Sequence, residues 1–121
     1  MASFSGQRVK REVEKIKLAG LAGPVQISAE DLFVSSFTVF GYSATAPDAP
    51  PTPNAGSIYI SFGVDAASLD FVLPVPAGEF RVFQSAPENA VNLAETWVLG
   101  SGGDGAYIEY EPVIQMDRNF R

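Results

Sequence analysis

The chain contains neither cysteine nor histidine. Without thiols there is no disulfide framework, no thiolate nucleophile and no cysteine-based metal site, and without imidazole the commonest general base and metal ligand are missing. Acid/base chemistry would fall to Asp, Glu, Lys, Tyr, Ser and Thr alone. Hydrophobic runs are short as well. No segment approaches the ~20 apolar residues that span a bilayer, and the first residues lack the apolar stretch of about 7–15 residues found in secretory signals. The expectation is a protein made in the cytoplasm, with no membrane partner. No period of about 20–50 residues recurs, which disfavours a solenoid or a propeller.

What is present suits one domain. The 121 residues are 46% hydrophobic, with mean hydropathy +0.10, enough apolar material to offset the entropy of ordering one backbone. The formal charge is -6 and the pI about 4.4. That balance argues against a nucleic-acid partner, because such proteins neutralise phosphates with clustered Lys and Arg. The charge is nevertheless uneven. Residues 1–21 hold Arg8, Lys10, Arg11, Lys15 and Lys17 against Glu12 and Glu14, a net +3, leaving three basic and twelve acidic residues, -9, in the remainder. A cationic arm on an acidic body suits contact with an acidic surface, on a neighbouring copy or a different partner; a solvated basic terminus is the alternative. Val9, Val13 and Ile16 fall on one helical face of this segment. Lys15-Ile16-Lys17-Leu18 also alternates and could open a strand. The candidate partner-binding residues are therefore Arg8, Val9, Lys10, Arg11, Val13, Lys15, Ile16 and Lys17, on a short helix or extended arm ended by Gly20, Gly23 and Pro24.

Beyond the arm the pattern changes to short runs rich in β-branched and aromatic residues. Val25 to Tyr42 is dense in them, and Ser35 to Phe40 is the clearest run. Pro47, Pro50, Pro51 and Pro53 then mark an exposed loop of polyproline-like character. Gly56 to Phe62, Glu79 to Phe83 and Ala106 to Glu111 alternate with period two, as half-buried strands do. About six to eight short strands separated by Pro/Gly turns predict an all-β fold, a jelly-roll-like β-sandwich or small barrel with an N-terminal arm or short helix. Its parts are the arm at residues 1–23, the sandwich at 24–115 and a tail at 116–121. Phe37, Val39, Ile58, Ile60, Phe80, Val82, Trp97 and Ile108 are the expected core.

Few motifs invite chemistry. Glu109 and Glu111 share a strand face and could flank a sugar or hold calcium, but like charges there more often keep an edge soluble; Glu30-Asp31 is a second carboxylate pair. Gly100 to Gly105 reads GSGGDG, yet lacks the Lys-Ser/Thr and the helix of a phosphate-binding loop. A hairpin linker is the better reading, with Asp104-Gly105 supplying positive φ. Trp97 with Tyr59, Tyr107 and Tyr110 could form a stacking platform, but Tyr107 and Tyr110 have opposite parity on one strand. No catalytic residue, metal ligand or cofactor site emerges, and the chain is expected not to be an enzyme.

Four motifs lie within Asn54 to Tyr110, a span of about half the chain: Asn54-Ala55-Gly56-Ser57-Ile58-Tyr59-Ile60, Pro76-Ala77-Gly78-Glu79-Phe80, Leu93-Ala94-Glu95-Thr96-Trp97-Val98 and Gly102-Gly103-Asp104-Gly105-Ala106-Tyr107. This succession resembles a small virion module of tailed bacteriophages, from which the proline loop and the basic arm depart. The resemblance implies a capsid decoration (cement) protein or related head or tail accessory on the virion surface. Its implied partners are the major capsid protein and neighbouring copies of itself in a homo-oligomer. A fibre-type module that recognises a host surface or carbohydrate is the alternative.

Overall fold

A run whose side chains alternate between apolar and polar can bury one face only by pairing edge to edge with similar runs, and the chain does so throughout. The computed structural model describes residues 14–43, 50–84 and 90–112. Eleven strands follow in order: β1 (Glu14–Ala19), β2 (Val25–Gln26), β3 (Phe33–Phe40), β4 (Tyr42–Ser43), β5 (Thr52–Pro53), β6 (Ile58–Phe62), β7 (Asp70–Val75), β8 (Phe80–Gln84), β9 (Val91–Asn92), β10 (Thr96–Leu99) and β11 (Gly105–Pro112). A 3-10 turn, Leu93–Glu95, precedes β10 and is capped by Asn92, whose side chain accepts from the Ala94 amide. No helix among the described residues is long and apolar enough to cross a membrane.

The strands form two principal sheets, ordered β1-β11-β3-β8 and β2-β10-β6-β7, while β9 joins the far end of β3 and β4 pairs with β5. All pairings are antiparallel. Setting aside β4, β5 and β9, which lie off the two main paths, the eight remaining strands run 1-8-3-6 in one sheet and 2-7-4-5 in the other. Apart from the β6–β7 pair, successive strands thus alternate between layers, in the double Greek key of a jelly roll. The fold is an all-β sandwich, open rather than closed into a barrel.

Segment 14–19, expected within a helix or arm, is the edge strand β1. Ile16 lies opposite Ile108 and Leu18 opposite Ala106, and both pack on the core while Lys15 and Lys17 point out. Burying Ile16 and Leu18 requires the period-two reading of this segment; a helix would carry them to different faces. The sandwich therefore begins before residue 24. Residues 8–13 of the expected arm and the 116–121 tail lie outside the described residues.

Both sheets feed one core, with Val34, Phe37, Val39, Ala106 and Ile108 from the first and Ile58, Ile60, Val75 and Val98 from the second. Phe83 links the layers, stacked on Phe37 at 4.8 Å and meeting Phe62 edge-on at 6.3 Å. Here two expectations fail: Phe80 and Val82 are 61% and 51% exposed. Phe83 sits opposite Phe37, so its neighbours of the other parity, Val82 opposite Thr38, face outward. Trp97 is only half-buried, on the outer face opposite Ser61, with its indole N–H donating to the Gly63 carbonyl at 2.9 Å.

One end of the sandwich is tied by a buried polar clasp. The Asn54 side chain donates to the Gly105 carbonyl at 2.8 Å and accepts from the Gly105 amide at 3.0 Å, mimicking a strand partner. The Asp104 carboxylate accepts from the Ala55 and Gly56 amides at 2.9 and 3.3 Å. The Gly41 carbonyl accepts from the Asn54 and Gly78 amides. Gly105 is required for space, not for positive φ as expected: its Cβ would lie 2.8 Å from the Leu18 carbonyl oxygen and 3.1 Å from Ser43 Cβ. The hairpin closes instead through the Asp104 amide on the Ser101 carbonyl. Positive φ is needed at Gly78, third residue of the Pro76–Glu79 turn.

Truncating Phe37 to Ala is expected to cost about 3–5 kcal/mol in urea unfolding, and Phe80→Ala less than about 1 kcal/mol. Asp104→Ala strands two amides of the clasp and should cost about 2–4 kcal/mol without changing the circular dichroism of the folded protein.

Candidate functional site

Because directly opposed residues of antiparallel strands share a face, the register fixes which side chains meet on the outside of β1-β11-β3-β8. One cross-strand row is Lys17, Tyr107, Phe40 and Phe80; the next is Lys15, Glu109, Thr38 and Val82; a third holds Glu111, Ser36 and Gln84. The outer face thus grades from cationic at β1 to apolar at β8. The Phe40 and Phe80 rings lie 5.7 Å apart, tilted by 42°, and the Lys17 ammonium sits over the Tyr107 ring at 5.8 Å. Lys15 and Glu109 pair at 3.9 Å with both side chains largely exposed, so the pair adds little stability and orients charge instead.

Phe40 and Tyr107 also line an open trough of about 430 Å³, together with Lys15, Glu109, Tyr42 and Pro51. Tyr42 is held there by its hydroxyl, which donates to the Gly78 carbonyl at 3.1 Å. The β4–β5 pair, Tyr42 opposite Pro53, brings the C-terminal side of the proline loop to the trough. The chemistry on offer is apolar and aromatic contact with one oriented ion pair, suited to recognition.

Of the candidate partner-binding residues, Lys15 and Lys17 stand on this face, Ile16 is turned into the core, and Arg8, Val9, Lys10, Arg11 and Val13 lie outside the described residues. Glu109 and Glu111 share the face as expected. Among the described residues no group of three metal-ligating side chains converges. Asp104 spends both carboxylate oxygens on backbone amides. The four-residue aromatic platform does not assemble. Tyr107 faces out, Tyr110 packs on the core opposite Phe37, and Tyr59 and Trp97 belong to the other sheet. Sequence reasoning missed Phe40 and Phe80 as surface residues. The only local signal is that Phe40 is out of phase with Phe37 and Val39.

No family model, no curated protein and no solved structure matches the chain.

Burial, and then the charge of Glu14 across the ladder, raise the Tyr110 hydroxyl above its ordinary value of 10.0. The folded state holds this proton more tightly than the unfolded chain, so the resulting stability is complete below pH ~10 and is lost as pH rises through the raised folded value. Urea midpoints between about pH 9 and 11 should fall, and fall less steeply in Tyr110→Phe.

Proposed function

We propose that the chain is a structural virion protein that binds and stabilises a capsid shell, a decoration or cement protein that bridges subunits. Its partners are the major capsid protein and neighbouring copies of itself. The observation that carries this reading is the outer face of β1-β11-β3-β8, where Phe80 and Val82 stand exposed beside Phe40 and Tyr107 and are flanked by Lys15 and Lys17. An apolar patch with a charged rim favours a protein surface: buried area supplies affinity, and the charges steer and register the encounter. The jelly-roll order adds support by analogy of fold, since it recurs in viral capsid domains. In the sequence, Arg8, Lys10 and Arg11 precede β1 and add basic residues to the segment that this reading assigns to the contact.

The aromatic trough with its Lys15–Glu109 pair favours a second reading, a fibre-type module in which a sugar ring stacks on Tyr107 or Phe40.

Particles stripped of the protein and remixed with it should regain occupancy and heat resistance, counted by gel densitometry. A Phe80→Asp/Tyr107→Ser variant should lose at least about tenfold in occupancy while melting like the parent, and a chain lacking residues 1–13 should bind more weakly. Equal occupancy by all three would overturn the shell-binding reading. Saccharide binding by the isolated chain, abolished in Tyr107→Ala and without particle association, would establish the second.

A further inference from the structure

Among the described residues the open sandwich leaves four edges, and three are guarded. β1 carries Glu14, Lys15 and Lys17, β2 is two residues long, and β7 contains Pro74, which has no amide to donate, and a register shift opposite β6. β8 is different. Among the described residues it pairs with β3 on one side only, its outward residues Phe80 and Val82 are 61% and 51% exposed, and its single charge is Arg81. An edge of this kind is a template for another strand.

We propose that β8 pairs antiparallel with β8 of a second copy across a two-fold axis at Val82, joining two four-stranded layers into one continuous sheet. The residues of β8 select both the occupant and the register. A two-fold pair that keeps the outer face continuous must set residues of equal parity opposite each other, so the axis passes through a residue. Centred on Arg81, it opposes two like charges. Centred on Phe83, it overlaps only three of the five strand residues. Centred on Val82, all five residues pair: Val82 meets its counterpart, Phe80 meets the partner's Gln84, and Arg81 meets the partner's Phe83, a cation beside an aromatic ring. Arg81 therefore acts as a register key, tolerated in one alignment and repelled in the next. The pairing also carries the Tyr107–Phe40–Phe80 row up to the axis, so two such rows lie on one surface.

This assigns one of the partners named in the assembly reading and rests on that reading for its purpose, but its test needs no particle. Sedimentation velocity of the purified full chain up to about 1 mM should show a monomer–dimer equilibrium. Val82→Glu and Val82→Lys should each be monomeric, with association weakened at least about tenfold, and an equimolar mixture should recover a heterodimer, since only a residue facing its own counterpart is rescued by charge exchange. In a chain without cysteine, Val82→Cys should form a disulfide dimer under oxidised glutathione, whereas Thr38→Cys, on the same face but away from the edge, should not. A parent chain monomeric throughout that range overturns the proposal. So does a dimer that neither charge exchange nor the Val82→Cys disulfide reproduces. Either result leaves shell binding standing, and loss of particle binding by a Tyr107→Ser variant, which leaves β8 intact, leaves the dimer standing.

Discussion

Asn54 and Asp104 are almost fully buried at one end of the sandwich, and together they spend their side chains on the backbone of each other's segments. Two consequences follow. The extended stretch entering β6 is fixed against the hairpin entering β11, so a strand of one sheet and a strand of the other start from a common point. The β3 exit and the Pro76–Glu79 turn are drawn to the same point through the Gly41 carbonyl. Buried polar groups so fully satisfied specify one arrangement, because any slip of β11 leaves a carboxylate and an amide unpaired in a dry environment. The outer face depends on this: Tyr107 stands beside Phe40 only while Gly105 remains seated under Leu18 and Asn54.

Half of this was legible in the residues. Ile58, Ile60 and Ile108 alternate with polar neighbours on both sides, so period alone assigned them inward, and the Pro/Gly punctuation separated the strands correctly. The all-β class followed from these. β8 was not legible, because Phe80, Val82 and Phe83 offer apolar side chains on both parities and the choice is made by Phe37 stacking on Phe83 across the ladder. β3 is harder still. Val34 is buried at one parity and Phe37 and Val39 at the other, with the register against β11 shifting between them. The clasp was invisible for another reason: Asn54 and Asp104 are fifty positions apart, and each alone reads as an ordinary turn residue. On the candidate surface, Lys15 and Lys17 were found from charge, whereas the aromatics beside them were assigned to the interior or to other roles.

Strand pairing in this fold is strongly non-local. Lys15 lies opposite Glu109, and β11 is enclosed between β1 and β3, so the last strand is inserted between two earlier ones. Until that happens, β3 offers an unsatisfied edge and the core lacks Ile108 and Ala106. Loop-closure entropy must be met before these contacts form, which places this topology among the slower folders. The same arrangement gives β11, like β3, a partner on each side along most of its length.

The antiparallel match of β1 with β11 also has a mechanical side. Glu14 lies opposite Tyr110, so the outer ends of the two strands sit side by side at one corner. Tension applied through the segments that leave this corner would open the β1–β11 ladder like a zipper, breaking its hydrogen bonds in succession; if the strands left at opposite ends, all of those bonds would shear at once. A molecule built this way resists pulling poorly at its ends and well across its faces. Under the shell-binding role proposed above, it would serve as a plate laid over a seam, not as a rope strung across it.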